Sequence, residues 1–475
     1  MNPVVFIPAY VSARRYTDTP SVTATFDHMT PMVEQGTMAR CLESLKTVRG
    51  LGKVIIPVVA EPAIANQAAA KYRKIAALFP DLDITVISEA ESAALKRRIG
   101  GLGFTVKDEI GFTGYGSVRN LCLVVALLMG ADSLIFMDDD EIVDDSDFLA
   151  KALYGLGKQT RKGAPIIAKT GFCRNVQGSW LAPVSGKWYD KHWFQPDAFN
   201  AWMSSVKSGP RLVRSGHALG GIMALHRDAF LNVAFDPWIP RGEDGDYALD
   251  LHLYGHDMWM DNQWSIVHAP DPERSEGRRF RQNVYRWTYE QRKLEFARSL
   301  FDLHWVDPVA MMPYPGVMLG KSALRGMAKT AALRSFVCED KAGYKEAKRA
   351  AVSDAPRYAE RNCDKYFDFQ GHWPTLARKL DENRLILEAG QNLNDGLRQV
   401  PSQVRGDITG HLPKVDMTEL TGRLDLAPRP ELTGRITPVR QSASVGRTTP
   451  TGLAHPADPA IPADPANPAS RHAES

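Results

Sequence analysis

Cysteine is scarce in this sequence and poorly placed for pairing. The five residues (Cys41, Cys122, Cys173, Cys338, Cys363) are odd in number, widely separated and without a Cys-x-x-Cys spacing. This excludes a disulfide framework and a cysteine zinc site, and suits a reducing compartment. Long hydrophobic runs are also missing. The longest, Leu121 to Met129, falls far short of the roughly 20 residues that a membrane-spanning helix needs. The opening Met1-Asn-Pro-Val-Val-Phe-Ile-Pro lacks the basic segment of a secretory signal. Together these features predict a cytoplasmic protein. Charge of one sign is absent as well: 58 Lys and Arg against 55 Asp and Glu leave +3, too little to draw nucleic acid. What remains is ordinary for a globular chain. With 475 residues, 44% apolar and 24% charged, it can bury a large core and should form two or three domains.

Val4 to Ile7 reads as a strand closed by Pro8. Met32 to Val48 has helical periodicity up to Gly50, and Val54 to Val59 is a second strand ending at Ala60-Glu61-Pro62. An alanine-rich helix, Ala63 to Phe79, and a third strand, Ile84 to Ile87, follow. Strand and helix alternating at this spacing predict an α/β fold, a Rossmann-like and mainly parallel sheet with helices on both faces. Such sheets bind ligands beyond the carboxyl ends of their strands. Pro8 with Tyr10, Glu61, and Ser88-Glu89 mark that edge. Next, Gly114-Tyr-Gly-Ser-Val-Arg-Asn120 runs into a helix from Leu121 to Met129, with Ser117 as the expected N-cap and Gly130 behind the last turn. Arg119 and Asn120 fall in the expected first turn, where the dipole disfavours a cation, so Arg119 calls for an acid or a phosphate.

The chain centres on Ser133-Leu-Ile-Phe-Met-Asp-Asp-Asp-Glu141, a buried strand that stops in four acids. Adjacent carboxylates repel, and packing them this densely needs a cation or full solvation. On an extended segment Asp138 and Asp140 point one way and Asp139 the other. Two carboxylates delivered into a crevice suit a hard divalent ion, Mn2+ or Mg2+, carrying a diphosphate. A second acid cluster, Glu243, Asp244 and Asp246, precedes a helix with Tyr247, Leu249, Leu251 and Leu253 on its apolar face. Acids there also cap helices, but Arg241-Gly242 just before them is a flexible entry that lets one acid turn into a cleft. The chain from Trp180 to Trp264 is aromatic, holding seven of its ten tryptophans, five of them between the two clusters. Exposed indoles suit the CH faces of sugars, which makes Trp180, Trp188 and Trp193 candidates for acceptor contact.

The order Ile7-Pro-Ala-Tyr10, Arg119-Asn120 before a helix, Phe136-Met-Asp-Asp-Asp-Glu141 and the stretch Arg241 to Pro270 resembles the glycosyltransferase A-type fold, most closely its inverting family 2 enzymes. The resemblance covers about residues 1 to 270. It implies Asp138, Asp140 and His268 around a metal, and Asp244 as the base that deprotonates the acceptor, with Glu243 its acceptor-binding neighbour. It further implies a donor site built from Pro8, Tyr10, Glu61, Arg119, Asn120, Asp139 and the Gly220-Gly221 turn. The implied activity is metal-dependent transfer of a hexosyl group from a UDP- or GDP-linked donor to a glycan, glycolipid or small hydroxylated acceptor, in polysaccharide-type biosynthesis. The pattern departs at the second strand, where Val58-Val-Ala-Glu61 carries a single glutamate in place of the usual acids. Gln282-Asn-Val-Tyr-Arg-Trp287 is similar to the Gln-x-x-Arg-Trp signature of processive synthases with the glutamine out of register. It adds Arg286 and Trp287 to the acceptor candidates, beside Asp246 of the second acid cluster.

The catalytic domain is expected over 1–285, with the charged segment Glu273 to Arg281 as a loop. A helical extension is expected over 286–395, including amphipathic stretches at Lys321 to Phe336 and Lys341 to Val352. Lys321, Arg325 and Lys329 form a basic face that fits peripheral contact with an acidic membrane, although a solvated face is the simpler account. Over 396–475, Ile408-Thr-Gly-His, Leu420-Thr-Gly-Arg and Leu432-Thr-Gly-Arg recur at twelve-residue spacing before a Pro-Ala-Asp-rich end. Such a tail reads as disordered and suited to docking another protein. Two other classes compete with transfer. A sugar nucleotidyltransferase would open with a glycine-rich phosphate loop, which does not follow Phe6, and a non-catalytic carbohydrate binder has no need of both acid clusters.

Overall fold

The structure, a computed structural model, describes residues 1–14, 26, 29–270 and 275–398, with side chains as far as 382. The twelve-residue repeats and the tail lie outside the described residues. The first half of the chain alternates as expected. β1 (Pro3–Phe6), β2 (Ala9–Ser12), β3 (Thr30–Pro31), α1 (Met38–Leu45), β4 (Lys53–Ala60), α2 (Ala65–Ala76), β5 (Ile84–Ile87), α3 (Glu89–Gly101), α4 (Tyr115–Leu128) and β6 (Ser133–Phe136) follow one another. β1 and β2 keep one register against β4, with Phe6 opposite Ile55 and Ala9 opposite Val58. They behave as one strand interrupted where Pro8 has no N–H to give. Beyond the break, β2 takes β3 as its neighbour and β1 takes β6. The sheet edge thus opens at Pro8.

Several local expectations are corrected. The helix expected from Met32 begins only at Met38, because Thr30 and Pro31 pair with β2. Ser88-Glu89 is not a free strand end. Ser88 and Glu91 form a reciprocal capping box that starts α3. Ser117 lies inside α4, whose N-cap is Gly114, and its hydroxyl donates to the Asp108 carbonyl. Gly130 does take the left-handed conformation behind α4, at φ +63°.

The rest of the sheet is mixed. β7 (Glu141–Ile142), α5 (Phe148–Leu153), β8 (Ala168–Asn175), α6 (Gln195–Ser208), β9 (Leu212–Ser215), β10 (Met223–His226), α7 (Arg227–Asn232), α8 (Glu243–Leu253) and β11 (Met258–His268) complete an eleven-stranded sheet. Its order is β3-β2-β4-β1-β6-β10-β8-β11-β7, with β5 on β4 and β9 on β11. Side-chain alternation splits the apolar residues between two faces. Val4, Phe6, Leu134 and Phe136 pack under α4, while Val5, Ile7, Ile135 and Met137 pack against α1, α2 and α5. Each such fully buried aliphatic or aromatic side chain contributes about 1.5–3 kcal/mol.

The C-terminal helices are α9 (Glu276–Ala297), α10 (Lys321–Val337), α11 (Lys341–Arg349), α12 (Ala355–Asn362) and α13 (Lys365–Arg398). The boundary expected at 285/286 falls inside α9, and residues expected as a loop up to Arg281 form its first turns. Trp373, Leu376, Ala377 and Leu380 of α13 join the α4 core, which explains why α4 is apolar all round. Met1–Val400 is accordingly one compact unit. Lys321 and Arg325 are exposed on α10, and among the described residues no helix is long and apolar enough to cross a membrane.

One glycine sets the seating of α4. A Cβ on Gly116 would lie 2.0 Å from the carbonyl oxygen of Asp236, a backbone atom that cannot swing away. Gly116→Ala is expected to destabilise the fold by about 1–3 kcal/mol through overpacking, read as a lowered melting temperature with the strand content unchanged.

Candidate active site

The two acid clusters meet in one cavity of about 510 Å3 at the carboxyl edge of β1 and β6. Hydrogen bonding of β6 to β1 ends with Met137, and Asp138 to Asp140 form a turn closed by Glu141 N–H to the Asp138 carbonyl. Because the acids sit in a turn, the expected alternation does not hold: Asp138, Asp139 and Asp140 all line the cavity. β7 then pairs with the end of β11, setting Glu141 opposite His268. That pairing brings His268 Nε2 within 3.2 Å of Asp140 Oδ2. Burial works against a charged His268, but the hydrogen bond and charge of Asp140 outweigh it and raise its pKa. Asp138 is pushed up by burial and by Asp140, with Arg119 opposing.

Glu141 was not singled out from the sequence, yet it braces the turn. It is 2% exposed, accepts from Asp138 N–H at 3.1 Å, and faces Cys173 Sγ at 3.6 Å. Burial and then its acid neighbours push its pKa well up. A Cβ on Gly221 would collide with its carboxylate at 2.0 Å, so the Gly220-Gly221 turn is shaped around this glutamate.

α8 supplies the second cluster. Gly242 enters it at φ +73°, a left-handed conformation that suits glycine. Asp244 turns away from simple capping: Oδ2 accepts from Gly220 N–H and Oδ1 from Gly245 N–H, both at 2.7 Å. Burial raises its pKa, but Arg286 foremost overcomes this and leaves it lowered. Glu243 is pushed up to about 7 by burial, against the pull of Arg119. Arg119 links the clusters. Its Nε donates to Glu243 Oε1 at 3.2 Å, its Nη2 lies 3.4 Å from Asp138 Oδ1, and its guanidinium covers the Phe136 ring. The predicted partner is thus an acid at each end, while Nη1 is buried without a hydrogen bond.

Pro8, Tyr10, Trp180 and Arg286 also line the cavity, as do His217, Phe199 and Tyr314, which periodicity did not reveal. Burial, then Arg286, drives His217 down to about 3, so its ring is neutral, and its Nδ1 is buried without a partner. A histidine inside Gly216-His-Ala-Leu-Gly-Gly221 was the available sequence signal.

Six residues expected at the site do not line this cavity. Asn120 is fully buried and clamps the chain at Phe235, accepting from its N–H at 2.8 Å and donating to its carbonyl at 2.9 Å. Glu61 lies off the cavity, where it accepts from Ser12 Oγ at 3.3 Å. Trp287 is 0% exposed and donates from Nε1 to Gln195. Trp193 packs at a tilt against Phe280, ring centroids 4.8 Å apart, and Trp188 is exposed outside the cavity. Asp246 is 0% exposed and lies beneath the site, where Lys293 of α9 meets Asp246, Asp236 and Asp250 at 2.7, 3.0 and 2.6 Å. Asp246 and Asp250 thereby anchor α8 to α9, and Asp236 ties in the segment before α8. Lys293→Met, which leaves buried carboxylates without their ammonium, should cost about 3–5 kcal/mol. Burial already pushes Asp236 up to about 6. Losing Lys293 raises such values further, and protonation then favours the folded state, so the deficit should shrink as pH falls from 8 to 5. Urea melts at both pH values measure it.

Among the described residues, no three His, Cys, Asp or Glu side chains form a group that could hold a metal by themselves. No family model and no curated protein matches the chain. Among solved structures it is similar to the mannosyltransferase PcManGT from Pyrobaculum calidifontis in complex with GDP-Man and Mn2+. That match has 14% identity over 80% of this chain and 86% of the other, with a TM-score of 0.40. GalNAc-T7 with UDP, GalNAc and Mn2+ matches at 12% identity over 71% of this chain and 58% of the other, with a TM-score of 0.34. Glucosyl-3-phosphoglycerate synthase from Mycobacterium tuberculosis matches at 10% over 58% and 72%, with a TM-score of 0.28. At this distance the chemistry rests on the residues of the cavity.

Proposed function

We propose that this protein is a metal-dependent, inverting glycosyltransferase that moves a hexosyl group from a UDP- or GDP-linked donor to a hydroxyl of a glycan, glycolipid or small hydroxylated acceptor. One observation carries the reading: acids from two distant segments, Asp138 with Asp140 and Glu243 with Asp244, share a cavity and are bridged by Arg119. The donor set suits a hard divalent cation. Its ligands are carboxylate oxygens with one imidazole, and burial and mutual repulsion push Asp138 and Glu141 toward protonation, a strain that a cation relieves. Asp138, Asp140 and His268 do not by themselves form a metal-holding group; they would hold the ion together with oxygens of the bound donor. When bound, the ion supplies Lewis-acid stabilisation of the departing diphosphate.

The chain's own groups do the rest. Asp244 is held ionised and accepts the proton of the acceptor hydroxyl. The acceptor oxygen bonds to the anomeric carbon as the bond to the diphosphate oxygen breaks, and that electron pair leaves with the diphosphate. Arg119 ties Glu243 to Asp138 across the cavity. Trp180, Phe199 and Tyr314 supply apolar faces for an acceptor sugar and exclude water. Incubation with labelled nucleotide sugars and Mn2+ or Mg2+ tests the reading. Transfer or donor hydrolysis supports it. Pyrophosphate exchange would instead indicate a nucleotidyltransferase, and sugar binding without turnover a carbohydrate-binding protein.

A further inference from the structure

Arg286 occupies a seat that two glycines make for it. A Cβ on Gly242 would lie 2.4 Å from its Cζ, Nε and Nη1, and a Cβ on Gly245 would lie 2.2 Å from its Nη2. The guanidinium therefore packs against the first turn of α8 beside Asp244, with Nη2 buried and making no hydrogen bond. Its Nε is fixed from behind by Glu290, one turn along α9, at 2.9 Å. The side chain is 9% exposed and lines the cavity. A cation is normally disfavoured at a helix N-terminus; here the acids of that turn reverse the balance.

We propose that Arg286 is a positioning residue for Asp244, seated by Gly242 and Gly245 so that its positive charge stands beside the carboxylate in the cavity. This rests on the reading of Asp244 as the base. The groups facing Asp244 are Arg286 from α9, Arg119 from α4, neutral His217 and the Gly220 N–H from the loop before β10, Glu243 on its own helix, Asp138 across the cavity, and Tyr314. Among the cations, Arg286 has the greatest influence on it. Removing Arg286 therefore raises the pH at which Asp244 ionises, and the acid limb of kcat/KM moves up with it.

The test uses the full-length protein with Mn2+. Arg286→Gln alone strands Glu290 in the interior, so R286Q/E290Q, which removes the ion pair together, is the informative variant. G245A is a second variant that leaves the arginine charge in place: its Cβ displaces Nη2 and also meets His217 Nδ1 at 2.4 Å, so its His217 ring shifts are followed alongside. The acid limb of kcat/KM is expected to rise by about one pH unit or more in R286Q/E290Q, to rise in G245A, and to return toward wild type in R286K. Carboxyl NMR of 13C-aspartate-labelled protein, with the Asp244 signal assigned by its absence in D244N, follows the same ionisation without turnover. An unmoved Asp244 midpoint in folded R286Q/E290Q overturns the proposal. A shifted midpoint in a protein that transfers no sugar upholds the positioning while overturning the assigned function.

Discussion

Asp244→Asn is expected to lower transfer by roughly a hundredfold to ten-thousandfold, the contribution of a general base, while donor affinity stays near wild type. An amide keeps the shape of the carboxylate but takes no proton at neutral pH. The structure adds a second expectation. Both carboxylate oxygens accept backbone N–H groups, from Gly220 and from Gly245. An asparagine has one acceptor oxygen, so one of these bonds is lost and stability falls by about 1 kcal/mol. A role limited to helix capping predicts an almost silent change, since asparagine caps as well as aspartate. Single-turnover kinetics and calorimetric donor binding separate the two outcomes. A single displacement with Asp244 as base also inverts the anomeric centre. Proton coupling in the NMR spectrum of the product reads this directly, and retention would exclude Asp244 as the base even if the variant were inactive.

Asp140→Asn is expected to abolish activity and the metal dependence of nucleotide binding, because a neutral amide is a poor ligand for a hard cation. Titration calorimetry with Mn2+ and nucleotide measures it, and an unchanged metal-dependent affinity would overturn the ligand assignment. The same substitution acts on His268, whose pKa is held up by its hydrogen bond to Asp140 at 3.2 Å. For a histidine raised in the folded state, the stabilisation is fully present below the unfolded value near 6.5 and is lost as pH rises through the folded value. D140N should therefore lose its deficit relative to wild type as pH rises through that folded value. Imidazole proton shifts report the His268 midpoint falling in the variant.

Much of the scaffold was legible without coordinates because it depends on local rules. Continuous apolar runs such as Leu134 to Met137, with helices between them, imply buried parallel strands wherever they occur. Gly130 ends a helix because only its own φ matters. Carboxylate density around Asp138 and Glu243 flagged both halves of the cavity, since repulsion between neighbours in sequence needs no tertiary knowledge. Composition alone weighed against disulfides and nucleic acid.

The direction in which each polar group faces was decided elsewhere in the chain. Asn120 follows Arg119 directly, yet Arg119 reaches Glu243 in the cavity while Asn120 clamps Phe235 in the core. Asp246 is two residues from Asp244 but turns inward because Lys293, on a helix that sequence placed across a domain boundary, sits beneath it. Arg286 and Trp287 part in the same way, one into the cavity and the other into the core. A helix turns by about 100° per residue, so neighbours in sequence face different surroundings, and only the packed partner determines whether a given side is solvent, ligand or core. Helical periodicity marks α8 as a helix. The seating of α9 against it decides which of its acids faces the cavity and which is buried against Lys293.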